Sequence, residues 1–260
     1  MNQEPSQTTP GGVEDPRQRA PAPQAIRVAM PQSAPYVTYA IIGVTILIYL
    51  LQVATDALLQ VDIPVLFFIK SNELIRSGQV WRLLTPALIH GSFTHIAFNM
   101  YALFSFGTSL ERYFGHGRFL LLYVLGAFAG NVASFIMTDA NSLGASTAVF
   151  GLLAAEGVFL YQNRKLFAGQ FRSAIGNIIF IAAVNLFVIG SLPGIDNWGH
   201  IGGLLGGLAF TWFAGPLWDV EPDMVGGYHL VDRRPVNEVM IGAGVVLAVF
   251  GAAAVWWILH

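Results

Sequence analysis

The sequence predicts an all-α, polytopic membrane protein, and three observations carry that expectation. First, 55% of the 260 residues are hydrophobic, only 11% are charged, and the mean hydropathy is +0.60. A soluble domain carries roughly 25% charge, so this chain has under half of what a water-facing surface needs. Second, seven apolar stretches are long enough, at about 20 residues each, to cross a bilayer. Third, ten of the thirteen Lys and Arg residues sort to one side of the membrane when those stretches are threaded through it. A net charge of −2 offers no basic face to a nucleic acid. The absence of cysteine excludes disulfides, thiolate metal sites and a cysteine nucleophile.

Residues 1–35 hold seven of the thirteen prolines among Gln, Ser, Thr and Gly. Such a segment cannot bury enough apolar surface to offset its ordering entropy, so a disordered tail is expected. No apolar signal-peptide core appears before residue 36. The spans follow at 37–55, 93–112, 117–138, 146–162, 173–191, 199–216 and 237–258. The fourth is short and opens with small residues, as a helix starting below the membrane surface does. Residues 56–92 form a long, half-apolar first loop containing Trp81 and Arg82, and residues 217–236 read as a linker before the last span, which occupies 237–260.

Charge placement sets the orientation. Arg17, Arg19 and Arg27 precede span 1, Arg112 and Arg118 separate spans 2 and 3, Arg164, Lys165 and Arg172 separate spans 4 and 5, and Arg233 and Arg234 precede span 7. The other three, Lys70, Arg76 and Arg82, all lie in the first loop. The positive-inside rule therefore puts the N-terminus in the cytoplasm and His260 outside. Spans 2, 4 and 6 then run from outside to inside. His95 and Asn99 open span 2, Ser146 opens span 4 and His200 opens span 6, so four polar residues scattered along the chain share one depth just below the outer surface.

His95 and Asn99 are four apart and share a helix face, with His90 where the first loop enters the membrane. His200, Gly203 and Gly207 follow i, i+3, i+7 spacing, and the two glycines form a small-xxx-small pair that admits a neighbouring helix. On span 4 the corresponding face offers Ser146, Phe150 and Gly151. Packing spans 4 and 6 through the glycines brings the Ser146 hydroxyl within reach of His200, with Phe150 placed to stack on the imidazole. A serine beside a histidine base is the minimum apparatus for acyl transfer. The oxyanion then needs donors, and His95, Asn99 and the backbone N–H of Ser146 are suited to supply them. No acid completes a triad: Asp196, the nearest in sequence, lies in a loop with Pro193 and glycines. The pattern reads as a dyad.

These residues resemble the rhomboid family of intramembrane serine proteases. The matching pieces are Trp81-Arg82; His90, His95 and Asn99 in HGSFTHIAFN; Glu111-Arg112; Gly144 and Ser146 in GAST; and His200, Gly203 and Gly207 in GHIGGLLGG. They span residues 37–216 in the family's order. The resemblance implies a six-helix core over 36–216 with the seventh helix as an addition, a Ser146–His200 dyad, and an oxyanion hole from His95, Asn99 and the Ser146 amide. It also implies cleavage of transmembrane protein substrates near the outer ends of their helices, in a bacterial plasma membrane, without cofactor or metal. Span 5 would be a lateral gate and 190–198 a mobile cap. Two positions depart from the family's pattern: Thr147 follows the nucleophile where glycine is usual, and Gly199 precedes the histidine where alanine is more usual. Thr147 would either crowd the oxyanion pocket or add a hydrogen bond.

Each residue alone has a plainer reading. Ser146 taken singly is more often a packing or capping residue, His95 and Asn99 can be interhelical glue, and Trp81-Arg82 can be an interface anchor. Structural roles are expected for Trp81, Arg82 and Glu111. For Glu156, a buried carboxyl hydrogen-bonded to Asn177 or Asn185 is expected, since a charge within a span must face protein or water. The competing functions are an inactive rhomboid relative that binds membrane clients and, with less support, a transporter. A transporter calls for polar residues across the midplane or for broken, repeated helices. A zinc protease would need H-E-x-x-H, which is absent from the sequence.

Overall fold

The computed structural model describes residues 33–222 and 227–260. The expected disordered tail lies outside the described residues except for 33–35, as does the stretch 223–226 of the expected linker. Ten α-helices and one hairpin are present among the described residues: α1 Tyr36–Leu59, α2 Ile63–Phe68, α3 Asn72–Arg76, α4 Phe93–Ala102, α5 Thr108–Phe114, α6 His116–Met137, α7 Ser146–Gln162, α8 Phe171–Ala183, α9 Asn197–Ala214, β1 Trp218–Pro222, β2 Tyr228–Asp232 and α10 Val236–Leu259. Helices α4 and α5 are one continuous rod joined by a π-helical segment, Leu103–Gly107, and α8 continues through a second π segment, Val184–Ile189. The protein is an all-α polytopic membrane protein.

Four of the rods, α1, α6, Phe171–Ile189 and α10, are long and apolar enough to cross a membrane on composition alone. The other three are those bearing the polar residues singled out above. The α4–α5 rod is interrupted, α7 has 17 residues, and α9 opens on Asn197 and His200 and holds five glycines. A helix surrounded by protein need not be lipid-like around its whole circumference, and α7 is the extreme case, with Thr147 through Leu153 buried without a break.

Helices α6, α7 and α9 pack on one another as the central unit, and glycine sets their spacing. A Cβ on Gly151 of α7 would meet Gly126 Cα of α6 at 3.1 Å and the Gly203 carbonyl of α9 at 3.3 Å. A Cβ on Gly203 would overlap the Thr147 carbonyl, and one on Gly207 the Gly151 carbonyl. Backbones touch here because nothing separates them. Helix α10 lies against α9 and α6, burying Val239, Gly242, Ala243 and Val246, and its far end adds Ala254 to a cluster with Ile75, Leu83, Val132 and Phe135.

Two stretches fold more than the sequence indicates. The first loop is an ordered platform: after α1 closes on Gln60 in the left-handed region (φ 56°), Asp62 caps α2 by accepting from Val65 N at 3.0 Å. Two 3₁₀ turns, Val80–Leu83 and Thr85–Leu88, follow α3. The expected linker is an antiparallel hairpin pairing Trp218 with Asp232 through Pro222 with Tyr228. Arg118 at the start of α6 ties to Asp232 at 2.5 Å, and Arg234 bridges Glu238 and donates to Gly215 O at 2.8 Å.

Candidate active site

Ser146 is the first residue of α7, so its own N–H belongs to the helix's unpaired first turn. The turn before it depends on Gly144, whose φ is +123°, a region side chains disfavour. Space forbids a side chain there as well: a Cβ on Gly144 would sit 2.7 Å from both Nε2 and Cε1 of His95. Gly144 N donates to Pro86 O of the first loop at 2.9 Å, which pins the turn from below.

On α9, Asp196 accepts from Gly199 N at 2.9 Å and so caps the helix that carries His200. The Nε2 of His200 lies 3.0 Å from Ser146 Oγ, across 54 residues of sequence. Phe150, one turn below Ser146, stacks on the imidazole with centroids 4.2 Å apart and planes 9° from parallel. His200 is buried, and the stack fixes the plane of its ring.

His95 begins the neighbouring rod, where Ser92 accepts its backbone N–H at 3.1 Å. Asn99 donates one N–H to His95 O at 3.0 Å and keeps a second donor, and its Nδ2 is 3.9 Å from the place a Gly144 Cβ would occupy. His95, Asn99 and the Ser146 amide therefore gather around the Gly144–Ser146 turn. His90 packs edge-on to His95, with centroids 5.0 Å apart, and its Nε2 accepts Ala145 N at 3.3 Å. Burial, reinforced by the neighbouring His95, pushes the His90 pKa down to about 3, in keeping with a ring that accepts at Nε2. The arrangement offers a hydroxyl, a base aligned on it, and three donors beside the same turn.

The two unusual positions belong together. The Thr147 side chain packs away from the donors, between α6 and α9: a Cβ on Gly130 would meet Thr147 Cβ at 2.5 Å, and a Cβ on Gly199 would meet Thr147 Cγ2 at 3.0 Å. Threonine occupies space that glycine at 199 leaves open. Thr147 neither crowds the donor pocket nor donates into it, and its buried Oγ1 has no partner among the described residues.

Three of the singled-out residues lie elsewhere and serve the scaffold. Arg82 donates to Leu66 O at 2.6 Å and Ile69 O at 2.8 Å, and Trp81 Nε1 donates to Phe67 O at 3.1 Å, so this pair closes the end of α2. Glu111 is fully buried at the opposite end of the bundle, where its carboxylate accepts from Val37 N, Thr38 N and Thr38 Oγ1 at 2.8, 2.7 and 2.6 Å. It thus caps α1 from another helix, and His116 Nδ1 joins at 2.6 Å. Glu156 does not find the expected asparagines. Asn185 donates to its own helix at Ile181 O, while Glu156 lines a cavity of about 190 Å³ with Tyr113, Phe159, Phe167 and Gln170. Asn185 itself lies in the π segment that continues α8.

Sequence reasoning passed over the residues that hold the serine's loop. Lys70 is completely buried and donates from Nζ to Thr138 O and Ala140 O, both at 2.8 Å, while its backbone pairs with Ser142. Asn72 donates to Phe135 O, Thr138 O and Asp139 Oδ1. Gln52, in the middle of α1, exchanges hydrogen bonds with the His90 backbone at 3.0 and 3.2 Å. A glutamine within the apolar run of α1 is a signal that could have been read, because a polar side chain there needs a protein partner.

Comparison with known proteins identifies the family. A family model described as a rhomboid domain matches residues 77–217. The chain is 43% identical over 173 residues to the rhomboid protease GluP of Bacillus subtilis, covering 66% of this chain and 34% of that protein. It is 38% identical over 148 residues to RHOMBOID-like protein 1 of Arabidopsis thaliana (56% of this chain, 38% of the relative). It is also 31% identical over 157 residues to the chloroplastic RHOMBOID-like protein 9 of the same plant, with 60% and 36% covered. The matches thus span little more than a third of these relatives' lengths. Over more than half its own length, and with its polar residues gathered at one end of a helical bundle, the chain belongs to the rhomboid family.

Proposed function

We propose that the chain is an intramembrane serine endopeptidase in which Ser146 is the nucleophile and His200 the general base. The observation that carries this reading is the 3.0 Å contact between Ser146 Oγ and His200 Nε2, with the imidazole held flat by Phe150. The description of the Bacillus subtilis relative as a protease points the same way. His200 takes the hydroxyl proton as Oγ bonds to a substrate carbonyl carbon. His95, Asn99 and the Ser146 N–H receive the developing oxyanion. The intermediate collapses by breaking the C–N bond, with the imidazolium proton passing to the leaving amine. Water then attacks the acyl-enzyme, giving its proton to His200 and restoring Ser146.

A peptide bond inside an intact helix is shielded, so the substrates are transmembrane proteins whose helices unwind near their extracytoplasmic ends. Charge distribution puts the N-terminus in the cytoplasm and Ser146 close to the outer surface, open to water beneath the 190–198 segment. A bacterial plasma membrane and passage beside α8 complete the reading, and no cofactor is required. The test is labelling by a fluorophosphonate probe in membranes, followed by cleavage of a transmembrane substrate. Modification of wild type that disappears in Ser146→Ala and in His200→Ala is the expected result; equal labelling of wild type and His200→Ala overturns the dyad. If wild type neither labels nor cleaves a panel of substrates, the chain is a client-binding relative without activity.

A further inference from the structure

His200 can accept the Ser146 hydroxyl at Nε2 only as the tautomer that carries its proton on Nδ1. That Nδ1 is buried and has no hydrogen-bond partner among the described residues. A buried N–H without an acceptor is costly, and the cost grows when the ring becomes an imidazolium. One helical turn earlier stands Asp196. Its Oδ1 is committed to capping α9 through Gly199 N, but its Oδ2 is buried and likewise without a partner. The two atoms are not hydrogen-bonded to each other in this structure, but an unused buried donor and an unused buried acceptor four residues apart stand at the same end of α9, one in its cap and one in its first turn. Helical side chains lean toward the N-terminus, which directs the His200 ring back toward the cap.

We propose that Asp196 is a positioning residue for His200: its Oδ2 receives the Nδ1–H, holds the reactive tautomer, and stabilises the imidazolium formed when Ser146 gives up its proton. One carboxylate thus caps the helix with one oxygen and orients the base with the other. Acceptance by an ionised carboxylate is among the stronger hydrogen bonds a buried N–H can make. The other titratable groups facing this corner are His95 and His90 from the α4 side, Lys70 from the first loop and Asp139 from the loop after α6. Burial lowers the Lys70 pKa to about 8, against the opposing charges of Asp196 and Asp139. The inference rests on the serine endopeptidase reading and extends its dyad by one residue.

The test uses Asp196→Asn in the full chain, because asparagine caps a helix about as well as aspartate and has nearly the same size. The second-order rate of fluorophosphonate labelling is measured from pH 5 to pH 9, alongside the thermal midpoint in detergent. The expected result is a rate about tenfold to a hundredfold lower and a rise of rate with pH whose midpoint moves down by about one unit. The thermal midpoint stays within a few degrees, and Asp196→Glu recovers part of the rate. An Asp196→Asn profile with the wild-type pH midpoint overturns the inference, whatever its rate, because a purely structural cap would not move that midpoint. Wild type that fails to label at all brings down the endopeptidase reading and this inference with it. A labelled wild type with an unshifted Asp196→Asn removes this inference alone.

Discussion

Placing alanine at Gly199, the residue more usual before the family's histidine, should weaken this protein. The new Cβ would lie 3.0 Å from Thr147 Cγ2 and 2.8 Å from Asp196 Oδ2. Thr147 has nowhere to withdraw, since Gly130 of α6 already closes to a distance at which a Cβ would meet Thr147 Cβ at 2.5 Å. Overpacking of this kind costs about 1–3 kcal/mol. Alanine returns about 0.5–1 kcal/mol over glycine within a helix, which leaves a net loss of up to about 2.5 kcal/mol. At this chain length that is a fall of up to roughly 10 °C in thermal midpoint. In a Thr147→Ala background the obstructing methyl is gone. Thr147→Ala alone should be neutral to mildly stabilising, because a lost methyl worth about 0.8 kcal/mol is outweighed by removing a buried hydroxyl left unpaired at about 1–3 kcal/mol. The assay is a double-mutant cycle on the full chain in detergent, read by tryptophan fluorescence on heating, with fluorophosphonate labelling alongside. The two substitutions should couple favourably by about 1–2 kcal/mol. An equal cost of Gly199→Ala in both backgrounds would refute the reasoning that one residue makes room for the other.

Three further outcomes are expected. Gly144→Ala should cut fluorophosphonate labelling by about a hundredfold, since it strains a φ of +123° and drives a methyl into the His95 ring; labelling within threefold of wild type would contradict this. Glu111→Gln should cost about 3 kcal/mol because an amide N–H₂ replaces one acceptor oxygen opposite the first turn of α1. The loss should show in thermal unfolding and leave labelling largely intact, Glu111 being about 24 Å along its rod from His95 at 1.5 Å per residue. Lys70 titrates at 10.5 when unperturbed and at about 8 in the fold, so the fold disfavours its charged form. That penalty is complete below pH 8 and vanishes as pH rises toward 10.5. The thermal midpoint of wild type minus that of Lys70→Met should therefore climb from pH 8 to pH 10, and a decline would show the sign to be wrong.

What the sequence disclosed and what it withheld divide along physical lines. Ser146, Phe150, His200, Gly203 and Gly207 were legible because helical periodicity states which residues share a face, and a common direction of spans 2, 4 and 6 states which share a depth. The structural roles of Trp81, Arg82 and Glu111 were expected, but not their partners. Those partners are backbone groups of α1 and α2, and no side-chain pattern records where a backbone carbonyl or N–H is left over. Lys70 and Asn72 went unread for the same reason, since both satisfy carbonyls at the end of α6. The π segments at Leu103–Gly107 and Val184–Ile189 add no residue type that marks them. The hairpin at 218–232 was hidden because a short, charged, two-stranded element looks like a linker. Glu156 shows the opposite error: the asparagines were close in sequence logic, yet local helical pairing took one of them.

Helix α8 and its π extension contain no buried residue, in contrast to the backbone contacts that lock α6, α7 and α9. In water, peeling such a helix away would expose apolar surface at a price set by its area. In a bilayer the surface it uncovers is met by acyl chains as apolar as the leucines it left, so the hydrophobic cost almost disappears. What must be given up is dispersion contact, shape fit and one hydrogen bond, from Asn197 Nδ2 of α9 to Leu186 O at 3.1 Å. The molecule is thus divided into a stiff part, whose geometry is fixed by colliding backbones, and one rod whose neighbour is exchangeable. For another apolar helix of similar girth to stand where α8 stands, the hydrophobic term would cancel, and the balance would rest on shape fit and on replacing the hydrogen bond that Leu186 O accepts from Asn197.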